Sequence, residues 1–168
     1  MGYAEAVKDE TKSESKEEDP SLITPEKMFA AGGVLAKPEL QVLLYPGLDM
    51  TRSRPSQRTF AEGYLLTGDV MDWYRGHYMD GASTRDPDAS PIFAPDLAGA
   101  APALVYTAGF DPLRDEAKDY ADRLREAGVR VSYREHEGLV HGFVLMTGLD
   151  APRRATEALI AEIGRALA

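Results

Sequence analysis

The sequence predicts an α/β chain built on a parallel sheet of about three strands with flanking helices. Three observations carry that expectation. Two short apolar runs, LQVLLYP (40–46) and PALVYTAG (102–109), are too short for helices and too evenly apolar for strands with one wet face. A third run, VRVSYR (129–134), alternates apolar and polar residues with the period of a strand. Helical patterns fall between and after these runs, and strand–helix–strand order is how right-handed crossovers assemble a parallel sheet.

Taken in order, residues 1–20 hold seven acids and three lysines with almost no large apolar side chain after Val7. Such a segment buries too little surface to offset its ordering entropy and is expected to be a disordered acidic tail. Residues 21–38 form a transition: Thr24-Pro25-Glu26-Lys27 resembles a helix start that Gly32-Gly33 would end quickly. Residues 39–168 are the folded portion. Pro46 stops the first apolar run, and 50–68, broken by Pro55, Gly63 and Gly68, reads as an excursion. Asp69 is expected to cap a helix over DVMDWYRGHYM, with Val70, Trp73, Tyr74, His77 and Tyr78 on one side. At that spacing the aromatics are more simply core than the lining of a ligand pocket. A proline-rich loop (Pro87, Pro91, Pro95) leads to the second strand.

Asp111-Pro112 opens the next helix, which runs to Ala127 through Leu113, Ala117, Tyr120, Ala121 and Leu124, with Gly128 placed to cap its C-terminus. After the alternating strand, Asp150 is expected to cap a last amphipathic helix through Ala155, Leu159, Ile163 and Leu167.

Charge and composition narrow the function. A net charge of -9 and a pI near 4.8 exclude the basic surface that nucleic acid or an anionic membrane requires. No apolar run reaches the length of a membrane-spanning helix, and the N-terminus has no apolar stretch of signal-peptide type, so the setting is taken as cytoplasmic by default. The absence of cysteine removes disulfides, thiolate metal sites and cysteine nucleophiles together.

The chemistry concentrates on two residues. Ligands gather beyond the carboxyl ends of the strands of an open parallel sheet. Asp111 lies just past the second strand, and His141, in GLVHGF (138–143), several residues past the 129–134 strand. An acid and an imidazole at one rim, in the chain order Asp then His, suit the last two members of a Ser–Asp–His triad. Each has a plainer reading: Asp111 as a helix N-cap before proline, His141 as a loop residue between glycines. Asp115 and Glu116 are explained as first-turn acids favoured by the helix dipole. His136, among acids in EHEG, is expected to be exposed, and His77 has no neighbour that would make it a metal ligand.

The stretch PALVYTAGFDPLRDEAKDYADRLREAGVRVSYREHEGLVHGF closely resembles the C-terminal part of α/β-hydrolase esterases of the hormone-sensitive lipase family. QVLLYPGLD, EGYLLTGDVMDWYRGHYM and DPDASPIFAPDLAG resemble the segments that precede it there, so the resemblance spans about residues 39–168. It implies a partial α/β-hydrolase fold. It also implies Asp111 (in FDPLRDE) as triad acid, His141 (in HGF) as triad base, and hydrolysis of small acyl esters through an acylated serine, without a cofactor.

The chain departs from that family in one decisive respect. No Gly-x-Ser-x-Gly elbow precedes QVLLYP, and no His-Gly-Gly-Gly element is present to supply oxyanion amides. The only Gly-x-Ser is Gly81-Ala82-Ser83, and the serines at 13, 15, 21, 53, 56, 90 and 132 show no elbow signature. Losing the nucleophile costs several orders of magnitude in rate, so the chain alone is expected to be weakly active or inactive. Two alternatives stand beside this reading: a non-catalytic α/β binding or interaction module, and an unconventional nucleophile at Ser83 or Ser90. The apolar strand at 40–45 is expected to present an open edge, suited to a homo-oligomer or to a complementing N-terminal chain.

Overall fold

In the computed structural model, residues 38–79 and 81–168 are described. The expectations for the acidic tail and for 21–37 lie outside them. Three strands, β1 (Gln41–Leu44), β2 (Ala103–Phe110) and β3 (Val131–Val140), form one sheet in the order β1-β2-β3 with both pairings parallel. This is the predicted sheet. Ala103 stands level with Gln41 on one side and Val131 on the other, so all three carboxyl ends reach the same rim.

β2 is buried on both faces because it is the middle strand, and its alternating residues face different helices. Ala103 and Val105 pack with Ala117, Tyr120, Ala121 and Leu124 of α3 (Arg114–Glu126). Leu104 and Tyr106 pack against Leu159 and Ile163 of α4 (Asp150–Ala166), alongside Val42 and Leu44 of β1. One helix on each face is what a layered α/β unit needs to bury both sides of a parallel sheet.

α3 ends as its sequence suggests. Gly128, at φ 79°, takes the left-handed position past the last turn, and the Val129 amide donates back to the Leu124 carbonyl. The start of α4 differs from expectation. Leu149 occupies the cap with no side-chain hydrogen bond, while Asp150 lies within the first turn and pairs with Arg153 at 2.9 Å. Leu167 falls past the end of the helix and is exposed. A helix α2 (Gly68–Met79) is capped two residues earlier than predicted: Thr67, not Asp69, accepts the Val70 amide, at 3.3 Å. The excursion before it contains one short helix, α1 (Pro55–Thr59).

Two strand expectations need correction. β1 is half-buried along its length, because no described residue pairs with its outer edge. β3 does not stop at Arg134 but continues through the polar run Glu135–Gly138 to Val140. Its outward face is exposed, so charged side chains there incur no burial cost. His136, on that extension, is partly buried rather than exposed: its ring stacks on Tyr106 and meets Phe143 edge-on. Burial lowers its affinity for a proton.

β2 and β3 lose register between Ala108 and Phe110. The strands approach closely at that point: a Cβ on Gly109 would lie 2.2 Å from the Glu137 carbonyl oxygen and 2.6 Å from its Cα. Gly109→Ala is therefore expected to lower the unfolding free energy by about 2–4 kcal/mol, since backbone must move. Gly148→Ala, where a Cβ would meet nothing, is expected to stay within about 0.5 kcal/mol. Denaturant titration of the two variants checks the contrast.

Candidate active site

Asp111 follows β2 directly and is fully buried. Its Oδ1 accepts the Leu113 amide at 2.8 Å and its backbone carbonyl accepts the Arg114 amide, closing the turn into α3. The helix-start reading of Asp111 needs correction: Leu113 occupies the cap and the helix runs from Arg114 to Glu126, so Asp111 and Pro112 form the turn before it. Its other oxygen, Oδ2, lies 2.9 Å from His141 Nδ1. The structure brings the two sequence-predicted residues into direct contact, from the ends of adjacent parallel strands.

His141 is not several residues beyond its strand but the first residue after it. Gly142, at φ 76°, then turns the chain so that Phe143 plunges into the core, fully buried against Ala108 and Ala155. The histidine is thereby held between a strand end and a buried aromatic anchor. A carboxylate only accepts hydrogen bonds, so the proton shared with Asp111 sits on Nδ1 and the neutral ring keeps its lone pair on Nε2. His141 lines a cavity of about 450 Å³, and Nε2 is bonded to no described residue.

The cavity wall opposite is built by the segment that follows β1. Glu116 of α3 is a buried carboxylate that accepts the amides of Leu48 (2.5 Å) and Asp49 (3.1 Å) and the Gln57 side-chain amide (2.5 Å). Asp115 accepts the Ser56 amide at 2.8 Å, and the Ser56 hydroxyl donates to the Pro112 carbonyl. These two acids are thus fasteners for the 47–57 loop, not only dipole partners of their helix. Burial pushes Glu116 up to about 7, against the opposing effect of its three donors. Burial also acts to raise Asp49, but hydrogen bonds from Thr51 and Ser53 and the charge of Arg54 outweigh it and hold that carboxyl low.

The aromatic face of α2 is not core. Trp73, Tyr74 and Tyr78 are 59%, 62% and 64% exposed, because only Gly68 and Met79 of this helix are buried. Tyr74 and Tyr78 line the cavity with Met50, Leu66, Met71 and Leu113, making its wall mainly apolar, with Arg52, Arg75 and Asp88 as polar points. His77 turns away, its ring against Trp73. Among the described residues no group of histidines and acids could hold a metal.

The described serines are occupied elsewhere. Ser90 is fully buried, donates to the Thr84 carbonyl and accepts the Met50 amide. Ser53, Ser56 and Ser132 donate to Asp49, Pro112 and Glu162. Ser83 is exposed in a turn, where its hydroxyl accepts the Arg85 amide. None is bonded to His141.

Sequence reasoning missed Glu116 and Tyr45. Glu116 had a signal: it lies on the apolar stripe of α3, one turn before Tyr120, where a charge has to be paired. Tyr45, whose ring packs on His141, had none.

A family model for the alpha/beta hydrolase fold matches residues 9–145. The chain belongs to the α/β-hydrolase fold family. Its relatives are carboxylic ester hydrolases. It is 46% identical over 109 residues to the carboxylic ester hydrolase LipN of Mycobacterium tuberculosis, covering 64% of this chain and 29% of that protein. It is 38% identical over 119 residues to an ethyl acetate hydrolase of Pseudomonas putida, covering 70% and 37%. Among solved structures, EstE1, a thermophilic carboxylesterase cloned from a metagenomic library, superposes with a TM-score of 0.72 at 38% identity, over 77% of this chain and 46% of that one. The chain spans less than half the length of each of these proteins.

The raised Glu116 carboxyl gives a signed pH dependence. Between the ordinary 4.5 and about 7, the folded chain keeps a proton that the unfolded chain has released. Its stabilising contribution is therefore full below 4.5 and is lost as pH rises through 7. Glu116→Gln cannot titrate. Across that interval, the stability of the unmodified chain relative to Glu116→Gln should fall by up to about 3 kcal/mol, as measured by urea unfolding at several pH values.

Proposed function

We propose that the chain supplies the acid and base of a serine-type hydrolase of small acyl esters, with Asp111 orienting His141 and His141 Nε2 moving the proton. The observation that carries this reading is the 2.9 Å contact between a fully buried carboxylate and an imidazole that lines a mainly apolar cavity. The names of the three relatives described above, each an ester hydrolase, support the substrate class.

In that reaction His141 takes the proton of a serine hydroxyl as the oxygen attacks the ester carbonyl, then gives it to the departing alcohol. Water deacylates the serine by the same transfer in reverse order. Asp111 holds the proton-bearing nitrogen and stabilises the imidazolium formed in both halves.

The nucleophile is the part this sequence lacks, and we place it on a separate N-terminal polypeptide. The Gln41 amide donates to the carbonyl of Pro102, just before β2, and the Tyr45 amide to that of Tyr106 within it. By alternation, the backbone groups of Val42 and Leu44 face the other edge, where no described residue pairs with them. A parallel strand added there would end at the same rim as Asp111 and His141. Without that partner the chain is weakly active or inactive. A non-catalytic binding module is the second reading, favoured by Ser90, whose hydroxyl is spent on structural hydrogen bonds.

The test is intact-mass analysis after fluorophosphonate treatment, with His141→Ala in parallel. The chain alone should take no adduct. Mixed with an N-terminal esterase fragment carrying a Gly-x-Ser-x-Gly turn, the fragment's serine should be labelled, about a thousandfold faster or more with His141 than with alanine. An adduct mapped to Ser83 or Ser90 would place the nucleophile in this chain instead. A folded chain that never supports labelling, or that occupies its own edge as a homodimer in sedimentation, favours the module.

A further inference from the structure

The hydrogen bond from Asp111 fixes one atom of the His141 ring, and one atom is not enough. A ring held only at Nδ1 can still swing and tilt about that contact, which would carry Nε2 away from any nucleophile. Some second contact must set the plane of the imidazole. Tyr45 provides one: its ring centroid lies 4.5 Å from that of His141, with the planes tilted by 57°. The same ring meets Phe143 edge-on at 5.7 Å. Tyr45 thus touches the histidine and the buried aromatic that anchors the turn just after it.

The backbone shows that this placement is imposed. Tyr45 directly follows β1 and has φ 37°, a left-handed conformation that a bulky residue rarely adopts. Its amide remains tied to the Tyr106 carbonyl at 2.6 Å, and Pro46 restricts the next step of the chain. The strand ends, the backbone kinks at Tyr45, and the ring lies against His141 and Phe143. Strain of this kind persists only where surrounding structure over-determines it.

We infer that Tyr45 is a positioning residue for His141, its ring face setting the imidazole plane that Asp111 alone leaves free. The inference rests on the proposed base role of His141 and adds the element that orients it. It assigns the task to the aromatic face rather than to the hydroxyl, which is hydrogen-bonded to no described residue. Phenylalanine should therefore serve, and an aliphatic side chain should not.

The test is nuclear magnetic resonance of the full 168-residue chain, following the His141 Nδ1 proton held by Asp111. In the unmodified chain this proton should be protected from exchange with water, and the Tyr45 and His141 rings should show a nuclear Overhauser contact. Tyr45→Phe should keep the protection. Tyr45→Leu and Tyr45→Met should raise the exchange rate by about tenfold, the loss expected of one aromatic contact, while the melt stays cooperative. Phe143→Leu serves as the control for a purely structural effect: it should lower the melting temperature more than either Tyr45 variant. Equal protection in the unmodified, leucine and methionine chains would overturn the part given to Tyr45. So would the absence of the ring–ring contact, which needs no variant to fold. No protected proton even in the unmodified chain would instead overturn the Asp111–His141 pairing, and this inference with it.

Discussion

The contact between Asp111 and His141 depends on the register shift between β2 and β3 at Gly109. Two parallel strands in plain register would pair Asp111 with a residue two places earlier on β3 than His141. The shift between Ala108 and Phe110 breaks that regularity at the point where the Glu137 carbonyl comes too near for any Cβ. From there β3 runs on to Val140, and the residues that follow the two strands, Asp111 and His141, meet across the rim. A glycine with no chemistry of its own therefore governs the chemistry that the sheet presents.

A second constraint is electrostatic. Glu116 is a carboxyl group in a core position, and burial alone would make it a liability. Two backbone amides and the Gln57 amide converge on it, so the charge that cannot be solvated becomes the fastening of a loop that has no regular structure to hold it. That loop forms one wall of the cavity beside His141. Helix α3 thus has three roles: its apolar stripe covers the sheet, its preceding turn carries Asp111, and its buried acid secures the opposite wall.

Much of this was legible in the sequence, for identifiable reasons. Uniformly apolar runs marked β1 and β2, and the 3.6-residue stripe marked α3, because burial leaves those patterns directly in residue type. Asp111 and His141 were legible because topology places strand ends at one rim. The extension of β3 through Glu135, His136 and Glu137 was hidden, since an exposed sheet face tolerates the same polar run as a loop. The exposure of Trp73, Tyr74 and Tyr78 was hidden too: an amphipathic pattern says that one face differs from the other, not what covers it. Tyr45 was least legible of all, because its role comes from a backbone kink that no residue pattern announces.

The order of the strands along the chain has a kinetic consequence. The connection from β2 to β3 is about a third as long as that from β1 to β2, and it contains a helix with its own apolar stripe. Loop-closure entropy alone separates the two by only about 1 kcal/mol, but the shorter unit is also the one whose contacts are more local. Folding therefore favours closing β2, α3 and β3 ahead of β1. Asp111 and His141 both belong to that early unit, so the pair can meet before Tyr45 or the cavity wall arrives, and the candidate site is assembled from that contact outward.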